Sequence, residues 1–172
     1  MSYGKLALLA PVLALSLAAC GGGNSDLADY YCPAPFTVED ANRLTHFREG
    51  AGRDPRDIAW EAALIGSGTK CSITRKAIEV TLIMRISASA GPSIGTARTS
   101  IPYFVRVLDS GRNVVQSQEF TADFRLSAAN PRGSSQEELT LTLPRDGSYS
   151  IAIGLKPTPE ELNYNRSRTP TQ

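Results

Sequence analysis

The sequence predicts an all-β fold, an antiparallel β-sandwich of about seven strands followed by a short C-terminal helix. The first observation is a period of two, clearest in AIEVTLIMRISASA, where apolar residues alternate with polar ones from Ile78 to Ala88. The second is the regular spacing of Gly-, Pro- and Asn-containing turns between such stretches. The third is that no amphipathic helical pattern separates them, which favours sheet packed on sheet.

The N-terminal segment is predicted to be an export signal. Residues 1–5 carry one positive charge, that of Lys5, and residues 6–19 are uncharged and largely apolar. A transmembrane helix needs about 20 apolar residues, and Pro11 weakens a helix here, so we expect no permanent span. A run of about 7 to 15 apolar residues is typical of a cleaved signal peptide, here residues 1–19.

The end of this run, Leu17, Ala18, Ala19 and Cys20, resembles the lipobox of bacterial lipoproteins. The resemblance implies that signal peptidase reads Leu17 to Ala19 and that Cys20 is lipidated and becomes the first residue. It further implies that the protein is anchored to a membrane through acyl chains on Cys20. Such chains are enough for stable anchoring without a transmembrane helix. Gly21 is not the Asp that retains such lipoproteins in the inner membrane, so we expect the periplasmic face of the outer membrane.

The segment after the anchor is predicted to be a flexible tether, residues 20–31, because GGGNSD is rich in Gly and polar residues. The folded domain is predicted to span residues 32–166. With Cys20 lipidated, Cys32 and Cys71 remain as an even pair in an oxidising compartment, so we predict a disulfide between them. It would stabilise the fold by about 3 to 4 kcal/mol on the chain-entropy estimate.

The first part of the domain leaves two alternatives open. Thr37 and Asp40 resemble a capping box that begins a short helix over residues 37–48, and an edge strand from Leu44 to Phe47 is the other interpretation. Further strands are predicted at residues 59–65, 70–74, 77–90, 101–108, 114–126, 139–143 and 149–155. Turns are predicted at residues 66–68, 90–93, 109–113, 130–135 and 145–147.

LPRDGSYSIAIGL, residues 143–155, resembles the corner of fibronectin type III and immunoglobulin-like sandwiches. The resemblance implies that Tyr149 is the corner tyrosine, with its ring in the core and its hydroxyl bonded to nearby backbone. The inter-sheet disulfide of antibody domains is not implied, because no cysteine lies two residues after Tyr149. We therefore expect an immunoglobulin-like sandwich without antibody-type topology.

The chain ends in a predicted helix of one or two turns. Thr158 is the expected N-cap, Pro159 the first helical residue and Glu161 the partner in a capping box. Residues 167–172 are predicted to be a disordered tail. A short Cys-anchored domain that ends in a tail of the ELNYNR type is similar to uncharacterised proteobacterial lipoproteins.

The sequence offers little chemistry for an enzyme. SGTK at residues 67–70 matches the S-x-x-K of penicillin-binding proteins, but its partner motifs are absent and a turn is expected there. His46 is the single histidine, and we interpret it as a surface or cap-region residue. We predict no catalytic residue, no cofactor and no metal site. A net charge of +1 lacks the strong positive charge that is typical of nucleic-acid-binding proteins, so we expect no nucleic-acid partner.

The sequence therefore predicts a non-enzymatic lipoprotein that serves as an interaction or envelope-assembly module for a protein partner. Strand 101–108 is the expected surface, with Tyr103 and Phe104 on opposite faces giving exposed aromatic area. The first alternative is a carrier of a small apolar ligand or lipid, which requires a cavity between the sheets that opens at one end. The second is a periplasmic hydrolase, which requires a Ser, Asp or Glu side chain within hydrogen-bond reach of His46.

Overall fold

The computed structural model describes residues 31–50, 52–95 and 98–168. It contains eight strands and one α-helix, with single turns of 3-10 helix at Glu39–Ala41 and Pro55–Asp57. The strands are β1 Pro35–Thr37, β2 Arg43–Phe47, β3 Ile58–Ile73, β4 Ala77–Ala90, β5 Arg98–Leu108, β6 Val114–Arg125, β7 Arg132–Pro144 and β8 Ser150–Leu155. The helix α1 is Pro159–Arg168.

The strands form two sheets of four strands each, with orders β2-β3-β4-β7 and β1-β8-β5-β6. Neighbouring strands are antiparallel, apart from β1, which runs parallel to β8. The all-β sandwich with a short C-terminal helix is therefore confirmed, with eight strands where about seven were predicted.

The core lies between the sheets and follows the period of two. On β4, Ile78, Val80, Leu82, Met84 and Ile86 are all at most 3% exposed. Their registered neighbours on β7 include Leu141 and Leu143, which are also buried. The opposite sheet contributes residues of β5, β6 and β8 to the same cluster, namely Ile101, Val105, Val107, Ala122, Phe124, Ile151, Ile153 and Leu155.

The strand order can be compared with that of immunoglobulin domains. If β3, β4, β5, β7 and β8 take the places of strands A, B, C, E and F, then A, B and E are neighbours in one sheet and C and F in the other, as in immunoglobulin domains. The difference is at the edge beside β8, where the parallel strand β1 occupies the place of the usual antiparallel last strand.

The turn predicted at residues 66–68 is wrong, because β3 continues through it. Gly66 pairs with Arg85 and Gly68 with Ile83, and a register shift between Leu64 and Gly66 marks a β-bulge. The GSG signal therefore reflects an irregular strand, since glycine in a strand often marks a bulge. The bulge leaves Ile65 exposed on the outer face.

Of the two alternatives for residues 37–48, the edge strand forms, and it spans Arg43–Phe47. Leu44 and Phe47 lie in β2, and the capping box does not form, because the single 3-10 turn at Glu39–Ala41 is preceded by Val38 with no side-chain cap. Instead of forming a helix, all five residues of β2 pair with β3.

The C-terminal capping box is confirmed. The Thr158 amide donates to Glu161 Oε2 at 2.8 Å, and the Glu161 amide donates to Thr158 Oγ1 at 3.2 Å. The helix is longer than the one or two turns predicted, and it includes Ser167 and Arg168 of the segment predicted as a tail.

Candidate interaction site

The lipobox residues Leu17, Ala18, Ala19 and Cys20 lie outside the described residues. The anchor and the signal peptide therefore stay predictions from the sequence.

The predicted cysteine pair is brought together. Cys32 and Cys71 have their sulfurs 2.07 Å apart and their Cα atoms 5.7 Å apart, within disulfide geometry. The bond links the chain just before β1 to the end of β3, so it joins the two sheets near the point where the chain enters the domain.

Tyr149 lies at the corner between β7 and β8, where the resemblance places it. Its half-buried ring packs on the core cluster. A Cβ on Gly147 would lie 2.6 Å from the Tyr149 hydroxyl oxygen, so the ring crosses directly over the turn and requires glycine there. The predicted hydrogen bond from the hydroxyl to backbone stays a prediction.

The exposed aromatic surface predicted at Tyr103 and Phe104 is wrong. Tyr103 is 2% exposed and Phe104 is 8% exposed, although they do point to opposite faces of β5. Phe104 is covered on the outer face because the 3-10 turn lies over it: a Cβ on Gly154 would be 2.5 Å from the Phe104 ring and 2.7 Å from Ala41 Cβ. The Arg106 guanidinium also lies over this ring, 4.6 Å from its centroid.

The two sheets have four edge strands, and these differ in how well they are protected. On one side of the sandwich, β1 has three residues and β2 has five. Helix α1 packs against β2, where Asn165 Nδ2 donates to the Arg43 carbonyl at 2.8 Å and Tyr164 meets Phe47 edge to face at 4.8 Å. Short and covered edges resist pairing with another chain.

The other side has the two long edges, and β7, with 13 residues, carries an inward-pointing charge. Glu137 pairs with buried Met84 and so faces the space between the sheets, where its carboxylate accepts hydrogen bonds from the Tyr103 hydroxyl at 3.2 Å and from Ser135. Burial raises the pKa of Tyr103 well above its usual range, and the Glu137 carboxylate raises it further. A strand added to β7 would bury Glu137 more deeply, and an inward charge is one of the devices that protect sheet edges.

The remaining edge, β6, has 12 residues and pairs only with β5 among the described strands. Its sequence, VVQSQEFTADFR, contains neither Lys nor Pro. Val114 and Val115, at its start, are 52% and 54% exposed, and they are among the few large apolar side chains exposed on the domain. The inner face carries Gln116, Gln118, Phe120, Ala122 and Phe124, with no inward charge. This long edge is the least protected in the part of the chain that the structure describes.

His46 is partly exposed and lies beside the N-terminal cap of α1, in line with its interpretation as a surface or cap-region residue. Its Nδ1 donates to Glu161 Oε1 at 2.8 Å, and its ring stacks on Trp60 with centroids 4.8 Å apart. Burial raises the pKa of Glu161, but hydrogen bonds from His46 and from the Thr158 amide outweigh this and leave that pKa below its usual value. The pair orients the imidazole as a carboxylate does in hydrolases. Among the described residues, however, no hydroxyl or thiol side chain is hydrogen-bonded to His46.

Several open troughs lie at the surface of the described part of the chain. One of about 340 Å³ includes Ile65, Ile83 and Arg85, and one of about 350 Å³ includes Arg43, Ser87 and Arg132, both on the outer face of the β2-β3-β4-β7 sheet. A third, of about 260 Å³, lies beside His46 and α1, and a fourth, of about 320 Å³, lies at the corner between β7 and β8 beside Ile78 and Tyr149. These troughs are open to solvent outside the sheets, whereas the space between the sheets is filled by the buried core.

In the described ranges, no group of three or more His, Cys, Asp and Glu side chains is placed to hold a metal ion. Among the same residues, no helix has the length and apolar character needed to cross a bilayer. The chain matches no protein-family model, no curated protein and no solved structure.

Sequence reasoning missed the β6 edge and the His46–Glu161 contact. The alternation around Phe120 signalled a strand but not its place at a sheet edge, which depends on the order of all strands. The capping box identified Glu161, but its second oxygen meets a residue 115 positions away in the sequence, and no local pattern reports such a contact.

Proposed function

We propose that this protein is a lipid-anchored lipoprotein on the periplasmic face of the outer membrane, and that its non-enzymatic domain binds a protein partner by adding a strand to β6. The observation that carries the proposal is the contrast between the four edges. Three edges are short, covered or protected by an inward charge, and β6 is long and has none of these features. Strand addition uses main-chain hydrogen bonds, which an open edge supplies.

The anchor part of the proposal rests on the lipobox LAAC and the Gly-rich tether that follows it. Two or three acyl chains give stable attachment, and the tether leaves the domain free to reach partners in the periplasm. Replacing Cys20 with Ala is expected to move the protein from the membrane fraction to the soluble fraction or to leave it uncleaved. Unchanged fractionation that is also insensitive to globomycin, an inhibitor of the lipoprotein signal peptidase, would refute the anchor.

The edge part of the proposal is tested by photo-crosslinking in cells. A photoreactive amino acid is placed at Ser117 or Thr121, whose exposed side chains lie on the outer face of β6. Matched positions are Ser134 and Thr140, which are exposed on the outer face of β7.

We expect specific adducts from the β6 positions and few or none from the β7 positions. The mass of each adduct tells whether the partner is another envelope protein or a second copy of this chain. Equal crosslinking from both edges, or none from either, would contradict the use of β6.

The carrier alternative is less well supported by the geometry than strand addition, because the troughs are open to solvent and buried side chains fill the space between the sheets. The hydrolase alternative requires a Ser, Asp or Glu side chain within hydrogen-bond reach of His46, and Glu161 meets that requirement. Among the described residues, however, no nucleophile is hydrogen-bonded to His46. The contact has a sufficient structural role, since it fixes α1 on β2.

A further inference from the structure

We propose that the strand added to β6 is the β6 of a second copy of this chain, antiparallel to the first, with Phe120 opposite Phe120 across a two-fold axis. This inference deepens the proposed function and rests on its assignment of β6 as the binding edge. The result would be a symmetric dimer in which two four-stranded sheets join into one continuous sheet of eight strands.

Symmetry restricts the registers that two β6 strands can adopt. Antiparallel neighbours related by a two-fold axis must have that axis normal to the sheet, and residues directly opposite each other then point to the same face. A residue on the outer face can therefore only oppose another outer-face residue, and the register can change only in steps that keep this parity. Registers with the axis near the middle of β6 include those centred at Glu119, Phe120 and Thr121.

Charge separates these three registers. With the axis at Glu119, the two Glu119 carboxylates oppose each other. With the axis at Thr121, each Glu119 opposes the Asp123 of the other copy. Like charges directly opposite each other destabilise a strand pair, so the register centred on Phe120 is favoured.

The register centred on Phe120 is also self-complementary. It places Thr121 opposite the Glu119 of the other copy and Ser117 opposite its Asp123, so hydroxyl donors face carboxylate acceptors four times in the dimer. All four side chains are exposed on the outer face. Glu119 already binds Lys156 at 2.5 Å and Asp123 accepts a bond from Ser100 at 2.6 Å, and each carboxylate has a second oxygen for the new contact.

The inner face of the same register is apolar at its centre. Phe120 is half-buried and stacks on Tyr103 with centroids 5.4 Å apart. On the axis, the two Phe120 rings come side by side, and an aromatic pair across two strands is a favourable contact. Dimerisation therefore completes the burial of rings that the single copy leaves half-covered.

The first test changes the charge at Thr121 in the full chain, expressed with its export signal and extracted in detergent. Thr121→Glu places a carboxylate of each copy opposite the Glu119 of the other. It is expected to raise the dimer dissociation constant about tenfold in sedimentation measurements. Thr121→Arg makes the opposite pair attractive and is expected to retain or tighten the dimer. Thr140→Glu on β7 is the matched control and is expected to have no effect, and circular dichroism confirms that each variant is folded.

The second test fixes the register. Cysteines placed at both Ser117 and Asp123 come opposite each other in the Phe120-centred dimer, within the distance for a disulfide, and should give a covalent dimer on non-reducing gels. In a chain with only one of these cysteines, the cysteine lies several residues from its symmetry mate. Such a chain should give little covalent dimer. A monomeric wild-type protein, or equal crosslinking by the single-cysteine chains, would overturn the inference. A monomer whose β6 crosslinks to another envelope protein would overturn it while leaving the proposed function intact.

Discussion

The contact between Glu161 and His46 yields a quantitative prediction about how α1 is held. The Glu161 side chain is only 8% exposed, and its two oxygens accept hydrogen bonds from His46 Nδ1 and from the Thr158 amide, each at 2.8 Å. A helix cap is worth about 1 kcal/mol, and a hydrogen bond to a charged group is worth about 1.5 to 3 kcal/mol. His46 is partly solvated and regains water when its partner is removed, so we take the lower end of the second range.

Glu161→Ala is therefore expected to lower the free energy of unfolding by about 2 to 3 kcal/mol. At about 3 °C per kcal/mol for a domain of this size, the melting temperature falls by about 6 to 9 °C. Glu161→Gln keeps an amide oxygen that can accept from the Thr158 amide. This variant is therefore expected to lower the free energy of unfolding by only about 1 kcal/mol. Urea unfolding of the wild type and the two variants measures these differences.

A double-mutant cycle with His46→Ala separates the two contacts of Glu161. The coupling free energy between the two positions is expected to be about 1 kcal/mol, because the residues share one partly solvated hydrogen bond. A loss below about 0.5 kcal/mol for Glu161→Ala, which is the size expected of an ordinary surface change, would refute the reasoning.

Acid should weaken the same contact. The pKa of Glu161 is lower in the folded protein than its ordinary value, so the unfolded state binds the proton more readily. The stabilisation is then fully present above the ordinary glutamate pKa of about 4.3 and is lost as the pH falls through the lower folded value. Unfolding measured between neutral pH and about pH 3 should show a steeper loss in the wild type than in Glu161→Gln, and parallel curves would contradict this.

Two other predictions concern the disulfide and a close contact in β8. Cys32 and Cys71, which are 39 residues apart, should resist alkylation in the unreduced protein, and replacing both with Ser should cost about 3 to 4 kcal/mol; two free thiols in the mass spectrum would contradict the bond. Gly154→Ala should cost about 1 to 3 kcal/mol, because its Cβ would lie 2.5 Å from the Phe104 ring. Gly68→Ala is the control, with nothing within 4 Å of its Cβ, and equal melting temperatures for the two variants would exclude the steric argument.

The alternation of apolar residues was enough to predict the sandwich, because burial of one sheet face imposes a period of two on each strand. β4 shows this most clearly, from Ile78 to Ile86. The capping box of α1 was also readable, since both of its hydrogen bonds join residues three apart. The cysteine pair was predictable for a different reason, since assigning Cys20 to the lipobox leaves two of the three cysteines to pair.

Features that depend on tertiary contacts could not be predicted from the sequence. Phe104 lies at a position that alternation assigns to solvent, and it is buried because a distant 3-10 turn covers it. GSG at residues 66–68 has the composition of a turn, but pairing with Arg85 and Ile83 keeps the chain extended there. In both cases a tertiary contact outweighs the local signal, since packing decides what a single residue's preference does not.

The position of β6 also bears on how an anchored domain would meet its partners. The chain enters the domain at β1, which lies at the opposite edge of the same sheet from β6, three strand spacings or about 14 Å away. The disulfide at Cys32 fixes this entry point to β3, and α1 covers the neighbouring edge β2. The proposed anchor at Cys20 and the proposed partner strand along β6 are therefore compatible, because the disulfide and α1 stabilise the side where the chain enters and β6 is the far edge of the sheet.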